Sequence, residues 1–245
     1  SAEVGWGLKG RLATKRVTLE LGGNAGAIVE PDVDIETAVK KLANGAFAYA
    51  GQSCISVQRI FVHESIAARF TDVLVGIAKS LPYGDPSDEK VVCGPLIDSA
   101  NADRVIEWIK EAERAGGRVL CGGKRDRGVI EPTVVSGAPN TARLNCSEVF
   151  GPVVNVATYR DFDEAIAMVN DSQYGLQAGV YTNDIRKIWI AFEHLEVGGV
   201  MHNDAPTYRA DLMPYGGVKS SGNGREGPRW AIEEMTEPRL LVIST

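Results

Sequence analysis

The chain of 245 residues is short of the residues that staple a small fold or hold a metal. It has four cysteines, Cys54, Cys93, Cys121 and Cys146, and no two of them stand close enough for a C-x-x-C clip. Its three histidines, His63, His194 and His202, lack metal-ligand spacing, which argues against a zinc site. A chain of this length buries enough core to need no disulfides, so a reducing compartment, the cytoplasm, is the expected location. No run approaches the roughly 18 apolar residues that span a bilayer, and the opening "SAEVGWGLKG" has no apolar segment of the signal-peptide kind. Lys and Arg are scattered, and the net charge is −6. Without a basic stripe, electrostatic attraction to a phosphate backbone has no footprint, which argues against a nucleic-acid partner. There are no repeats and no low-complexity linker.

What the chain has in plenty is alternation. "VTLEL" (17–21), "AGAIVE" (25–30), "QRIFVHE" (58–64), "RVLCGG", "IEPTVV", "PVVNVATY" (152–159), "GVYT" (179–182) and "GGVMHN" (198–203) read as strands. Between them lie helical stretches. Residues 34–50 carry an apolar stripe at Ile35, Val39, Leu42, Ala46 and Tyr49, with Asp34 as the expected cap. Residues 65–81 end before Pro82, and residues 98–117 close on a Gly-Gly stop. Residues 162–170 and 184–195 complete the set. This order predicts an α/β fold: a mostly parallel open sheet with helices on both faces. In such sheets active sites are expected at the carboxyl ends of the strands. "RLLVIS" (239–244) is an apolar strand pattern at the very end, and a strand there needs an edge to pair with, within the chain or on another subunit.

"GWGLKG", with Gly5, Gly7 and Gly10, spells the G-x-G-x-x-G dinucleotide fingerprint. That motif works only after a strand, where the glycines turn the chain into a helix whose N-terminus receives the pyrophosphate. Four residues precede it here, and the nearest following strand-end acid, Glu20, is too close. We read it as a glycine cluster on a helix.

Three other stretches carry reactive groups. In "LELGGNAGAIV", Glu20 ends a short strand before Gly22 and Gly23. In "YAGQSCISVQ", Cys54 stands between a helical and a strand segment. In "SEVFGPVVNV", Glu148 and Phe150 lead into a strand. A partly buried strand-end carboxylate has its pKa raised toward the range of a general base. Cys54 offers a sulfur nucleophile and a backbone N–H for an oxyanion, or else it is an inert buried thiol. Glu20 has a strand-end salt bridge as its plainer reading, Glu148 a surface position and Phe150 a core position. Cys93, Cys121 and Cys146 read as structural.

The order and spacing of these stretches resemble the aldehyde dehydrogenase superfamily: E-L-G-G, then G-Q-x-C with its Cys thirty-four residues after the Glu, then E-x-F-G-P-V with its Glu ninety-four residues after the Cys, then "MPYGGVKSSGNGREG". The resemblance runs from about Val17 to the end. It implies that Cys54 attacks an aldehyde to give a thiohemiacetal, that hydride passes to NAD or NADP, and that Glu20 activates the water that hydrolyses the resulting thioester. Family members that transfer the acyl group to coenzyme A usually lack this Glu, so a carboxylic acid product is implied. Glu148 is similar to the residue that hydrogen-bonds the nicotinamide ribose and Phe150 to the one packed beside the nicotinamide, with Leu21 and Gly22 completing the cofactor side. Ser53, Ile55, Tyr208, Arg209 and Tyr215 fall where the family shapes its aldehyde tunnel. Arg209 is expected either to pair with an anionic group on the substrate or to be an ordinary surface cation.

Family members are about twice this long, and their first half holds the cofactor domain. The resemblance therefore implies a catalytic half: 1–19 as the residual end of the cofactor domain, 20–238 as the catalytic domain and 239–245 as an oligomerisation strand. Such a piece, whether from truncation or proteolysis, is expected to bind NAD or NADP weakly or not at all, to associate or be disordered near residues 1–19, and to join a homo-oligomer through its last strand. The substrate leans toward small hydroxy- or phospho-aldehydes such as lactaldehyde or glyceraldehyde 3-phosphate. Two other readings stay open on the sequence. One is a cofactor-independent thiol esterase, which would normally show a histidine partner. The other is a non-catalytic scaffold or oligomerisation piece of the same fold.

Overall fold

The computed structural model describes residues 1–126 and 128–245. Its helices are α1 (Ala2–Arg11), α2 (Ile35–Phe47), α3 (Ala67–Ser80), α4 (Ser99–Arg114), α5 (Arg143–Cys146), α6 (Phe162–Asn170), α7 (Ile185–His194) and α8 (Pro228–Met235). The strands are β1 (Leu19–Glu20), β2 (Ala25–Val29), β3 (Val57–His63), β4 (Arg118–Cys121), β5 (Arg125–Asp126), β6 (Val129–Ile130), β7 (Thr133–Ser136), β8 (Val153–Tyr159), β9 (Tyr174–Gly175), β10 (Gln177–Tyr181), β11 (Gly199–His202), β12 (Val218–Lys219) and β13 (Gly222–Asn223). The main sheet has the order β11-β10-β2-β3-β8-β7-β4. Every neighbouring pair in it is parallel except β4 with β7 at one edge. The fold is the expected α/β sheet.

Alternate residues of the buried strands face opposite ways, as the pleat requires. Ala27, Val29, Ile60, Val62, Val134 and Val154 pack under α2 and α3. Ile28, Phe61 and Val180 pack under α6 and α7, and Val135 and Val153 under α4. Helices thus cover both faces, which is why the central strands read as near-continuous apolar runs. Phe47, Phe70, Leu42 and Leu74 are fully buried between α2, α3 and the sheet, each contributing roughly 2 kcal/mol of burial free energy. Four helices start on an aspartate cap: Asp34, Asp98, Asp161 and Asp184 accept from the backbone N–H of Thr37, Asn101, Glu164 and Arg186 at 2.7–2.9 Å.

One expectation needs correcting. The helical spacing puts Tyr49 on the buried stripe of α2, yet Tyr49 is 83 % exposed. The helix ends at Phe47, and Tyr49 turns left-handed at φ 54°, so the helical period no longer applies. The first segment is ordered as α1, with "GWGLKG" inside it, and the Trp6 indole donates to Ser220 O at 3.2 Å. In the single chain the tail 239–244 pairs with no strand among the described residues, and Leu240, Leu241, Val242 and Ile243 are exposed. No helix among the described residues is long and apolar enough to cross a membrane.

Candidate active site

The reactive residues gather at the amino ends of the parallel strands, not at the carboxyl ends. Glu20 precedes β2, Cys54 precedes β3 and Glu148 precedes β8, and these three strands are neighbours. The histidines lie elsewhere: His63 and His202 are the last residues of β3 and β11, and His194 ends α7. With seven residues in β3, His63 stands about 20 Å along the strand from the Cys54 end. The carboxyl-end rule holds where ligands sit on helices that follow strands. Here the thiol sits on the turn that enters a strand, so the site opens at the other end.

Glu20 is placed by the two-residue ladder of β1 with β13, in which it faces Gly222. Leu21 N donates to Ser221 O at 2.9 Å, and the Ser221 hydroxyl donates to Gly22 O at 2.7 Å, so both ends of the turn after Glu20 are fixed. The Glu20 carboxylate then reaches the Cys54 sulfur, with Sγ to Oε2 at 3.9 Å. Its other oxygen, Oε1, is buried and has no hydrogen-bond partner among the described residues. Burial, with the nearby Glu226 charge behind it, lifts the Glu20 pKa to about 7, against smaller opposing effects of Arg209 and the thiol.

Cys54 follows a turn in which Tyr49, Ala50 and Gly51 all take positive φ (54°, 56° and 66°). Left-handed backbone at non-glycine residues is strained and persists only where its surroundings hold it. Gln52 supplies part of that hold, its Oε1 accepting from Ile97 N at 2.9 Å. Ser56 donates back to Gly45 O and Ala46 O of α2 at 3.2 and 3.3 Å. Gly23 supplies another part: a Cβ there would stand 2.1 Å from Cys54 O. The Cys54 sulfur lies 3.1 Å from the Tyr215 hydroxyl. Burial pushes the thiol pKa up; the Tyr215 hydroxyl pulls it down, and the Glu20 and Glu148 charges add to the rise.

Glu148 reaches the same place through side chains that pin its loop. Gln58, buried in β3, donates to Leu144 O and Ser147 O at 3.0 and 2.6 Å and accepts from Val149 N at 3.0 Å. Asn24 donates to Asn145 O and Ser147 O at 2.8 and 3.1 Å. Glu148 Oε1 accepts from Gly23 N at 2.9 Å, and a Cβ on Gly22 would lie 2.4 Å from Oε2. Burial raises the Glu148 pKa, while the hydrogen bond from Gly23 N and the Arg104 charge favour its carboxylate. Phe150 stands at φ 49°, 39 % exposed, beside Tyr49, Gln52 and Ile97 in an open recess.

The remaining candidates divide. Ile55 is buried against Leu176 and Tyr215, next to Cys54 and Met213. Ser53 turns the chain, its hydroxyl accepting from Ile55 N at 3.4 Å. Tyr215 exchanges backbone hydrogen bonds with Glu226 (3.2 and 2.6 Å). Arg209 pairs with Glu226 at 2.5 Å and lies over the Tyr215 ring at 4.1 Å from its centroid. Tyr208 is half exposed, and its backbone carbonyl accepts from Gln177 at 3.1 Å. The sequence pattern does not single out Glu226, Ser221, Asn24, Gln58, Leu176 or Met213. Ser221 and Glu226 lie inside the glycine-rich stretch near the end of the chain. Asn24 and Gln58 are amides within or beside otherwise apolar strands, a signal in its own right, since a buried amide must find partners.

A sequence profile described as the aldehyde dehydrogenase family matches residues 1–241. The chain belongs to the aldehyde dehydrogenase family. It is 46 % identical over 244 residues to a 3-sulfolactaldehyde dehydrogenase of Priestia aryabhattai, covering 100 % of this chain and 51 % of that protein. Among solved structures it is similar to an aldehyde dehydrogenase of Physcomitrella patens in complex with the reaction product succinate (TM-score 0.97, 44 % identity, 99 % of this chain and 51 % of that one). It is also similar to a glyceraldehyde-3-phosphate dehydrogenase of Methanocaldococcus jannaschii complexed with NADP (TM-score 0.93, 43 % identity, 96 % and 51 %). The chain spans about half the length of the relatives it matches. The aldehyde dehydrogenase family comprises oxidoreductases that act on aldehydes, and NAD(P) is the cofactor of its members.

The residues present suit the nicotinamide end of such a cofactor. Glu148 keeps one carboxylate oxygen off the Gly23 N–H, beside a Gly22 that has no side chain to cover it. A carboxylate oxygen so placed can accept from a sugar hydroxyl.

Proposed function

We propose that this chain carries the acyl-transfer machinery of an NAD(P)-dependent aldehyde dehydrogenase that turns an aldehyde into a carboxylic acid. The observation that carries the reading is the meeting of the Cys54 sulfur and the Glu20 carboxylate at 3.9 Å, in partly buried surroundings. Cys54 is the nucleophile: its sulfur adds to the aldehyde carbon, and its backbone N–H donates to the oxyanion. Glu148 and the Leu21–Gly22 backbone hold the nicotinamide ribose, with Phe150 alongside. The chemistry a bound NAD(P)+ supplies is acceptance of a hydride. Glu20 then takes a proton from the water that attacks the Cys54 thioester, releasing the acid. With a pKa of about 7, Glu20 is partly ionised at neutral pH, as a general base has to be.

Tyr215, Ile55 and Ser53 form the near wall for the aldehyde, and Arg209 with Tyr208 lies farther out. Arg209 is already paired with Glu226. An anionic substrate group would share the guanidinium with that carboxylate rather than meet a bare cation. The relatives' names nonetheless favour a small hydroxy-aldehyde bearing an anion. The exposed tail 239–244 is read as pairing with the sheet edge of a second copy.

The same acyl-enzyme can be formed without cofactor, which makes the test direct. Treated with p-nitrophenyl acetate, the protein should hydrolyse the ester. Cys54→Ser should abolish this, and Glu20→Gln should accumulate acetyl-Cys54, seen by mass spectrometry. Reduction of NAD+ or NADP+ by the native protein with small aldehydes tests the dehydrogenase reading itself. A Glu20→Gln protein that turns over the ester at the parent rate sinks the assignment of the base. The esterase-only reading lacks its usual support, because the polar side-chain atoms at the Cys54 sulfur among the described residues are those of Tyr215 and Glu20, not of a histidine.

A further inference from the structure

We propose that Tyr215 is a catalytic hydrogen-bond donor to the Cys54 sulfur, holding it as an aimed thiolate. The inference rests on the reading of Cys54 as the nucleophile and adds a group to it. The Tyr215 hydroxyl lies 3.1 Å from Sγ, and the two residues are 161 positions apart, so the contact is made by the fold and not by local chain geometry.

The direction of the bond follows from proton counting. A neutral thiol has one proton, and two polar side-chain groups flank it, the Tyr215 hydroxyl and Glu20 Oε2 at 3.9 Å. An ionised carboxylate can only accept, so the S–H points to Glu20 and the phenol O–H points to sulfur. When the S–H bond breaks, its proton goes to Glu20 Oε2 and the electron pair stays on sulfur. The phenol keeps its own proton throughout, because burial drives its pKa upward. The sulfur needs such a donor. Burial and the carboxylates of Glu20 and Glu148 all disfavour its anion, and the groups that favour it are the Tyr215 hydroxyl and the Cys54 backbone N–H. The surroundings fix the Tyr215 ring, which is 2 % exposed, packed on Ile55 and Leu176, and covered by the Arg209 guanidinium. Arg209 and Glu226, paired to each other, complete the charged groups around it.

The experiment is alkylation of Cys54 by iodoacetamide, followed by peptide mass spectrometry across pH, in the parent protein and in Tyr215→Phe. Phenylalanine keeps the ring and removes only the donor. Loss of a hydrogen bond to a charged group should slow alkylation roughly tenfold near neutral pH and displace the profile to higher pH. An unchanged or faster rate at unchanged profile overturns the proposal. If Tyr215→Phe fails to fold, replacement of the tyrosines by the more acidic 3-fluorotyrosine gives the opposite test. A stronger donor should speed alkylation below neutral pH, and no change counts against the bond. No cofactor enters either measurement, so their outcome is separate from whether the native protein oxidises aldehydes.

Discussion

The Glu20 carboxylate faces the Cys54 sulfur with one oxygen at 3.9 Å and keeps its other oxygen buried without a partner among the described residues. A buried acceptor left unsatisfied costs stability, and a carboxylate in that position costs more as an anion than as an acid. The arrangement leaves one oxygen free for a water or a substrate atom, at the expense of the resting fold.

The first prediction is kinetic. Ester hydrolysis through acetyl-Cys54 should rise with pH through about 7 as Glu20 ionises. Glu20→Gln should slow the deacylation step by about 10²-fold or more, the usual weight of a positioned base, and slow acylation less, because the thiol can still lose its proton to solvent. Stopped-flow release of p-nitrophenol separates the two steps, and an intact steady-state rate would rule the role out.

The second concerns stability and has the opposite sign. The folded Glu20 pKa stands above its unfolded value of about 4.5, so between those two values the native state holds a proton that the unfolded state has lost. Stability therefore falls as pH rises from about 4.5 to about 7, and the penalty is fully present above that window. Glu20→Gln should melt higher than the parent at pH 8 and equally at pH 4.5. Allowing for solvent screening, about 1 kcal/mol is expected, a shift of roughly 2–4 °C for a chain of this size. Thermal melts at the two pH values check it; a variant that melts lower at pH 8 contradicts the burial argument.

The third separates two adjacent glycines. At Gly22 a methyl group meets the tip of the Glu148 side chain, which can swing aside. Gly22→Ala should leave Cys54 alkylation unchanged and weaken binding of NAD+ or NADP+ to the native protein about tenfold, by calorimetry. At Gly23 the methyl meets the Cys54 backbone carbonyl, which cannot move without dragging the nucleophile's turn. Gly23→Ala should cost about 3 kcal/mol in denaturant unfolding and slow alkylation as well. Equal behaviour of the two variants would contradict this division of labour.

Much of this is legible in the chain itself. The helix at 162–170 coincides with α6, and the Asp34 cap and the Gly-Gly stop after α4 are where the pattern puts them, because each depends on neighbours in sequence. The ordered E-L-G-G, G-Q-x-C and E-x-F-G-P-V stretches do meet at one end of the sheet. What the chain conceals depends on distant partners. Tyr49 follows the helical period and still leaves the core, since a left-handed turn, needed to present Cys54, outweighs the burial of one aromatic ring. By its place in the sequence Tyr215 is expected to line the aldehyde tunnel, and its contact with sulfur arises only once β13 has paired with β1 and β12 with β9. The tail has a strand's composition without an edge to join, so its pattern is true and its structure is absent in the single chain.

The last prediction uses the Arg209–Glu226 pair as a control on Glu20. The two side chains are bonded to each other at 2.5 Å, yet they act on Glu20 with opposite signs: Glu226 raises its pKa and Arg209 lowers it. Glu226→Gln should therefore move the rising limb of ester hydrolysis to lower pH, and Arg209→Ala should move it higher. Each displacement should change the rate at pH 6 by roughly threefold, the size of a screened charge interaction at this range. A purely structural loss would slow both variants at every pH without moving either limb. Arg209→Ala carries a second readout in the native protein: KM should rise for anionic aldehydes and stay level for neutral ones of the same size. If KM rises equally for both, the guanidinium only covers the Tyr215 ring, and the anion preference has to be sought on another side chain. If the limbs move as stated and KM splits, a single cation serves both the substrate's charge and the ionisation of the base.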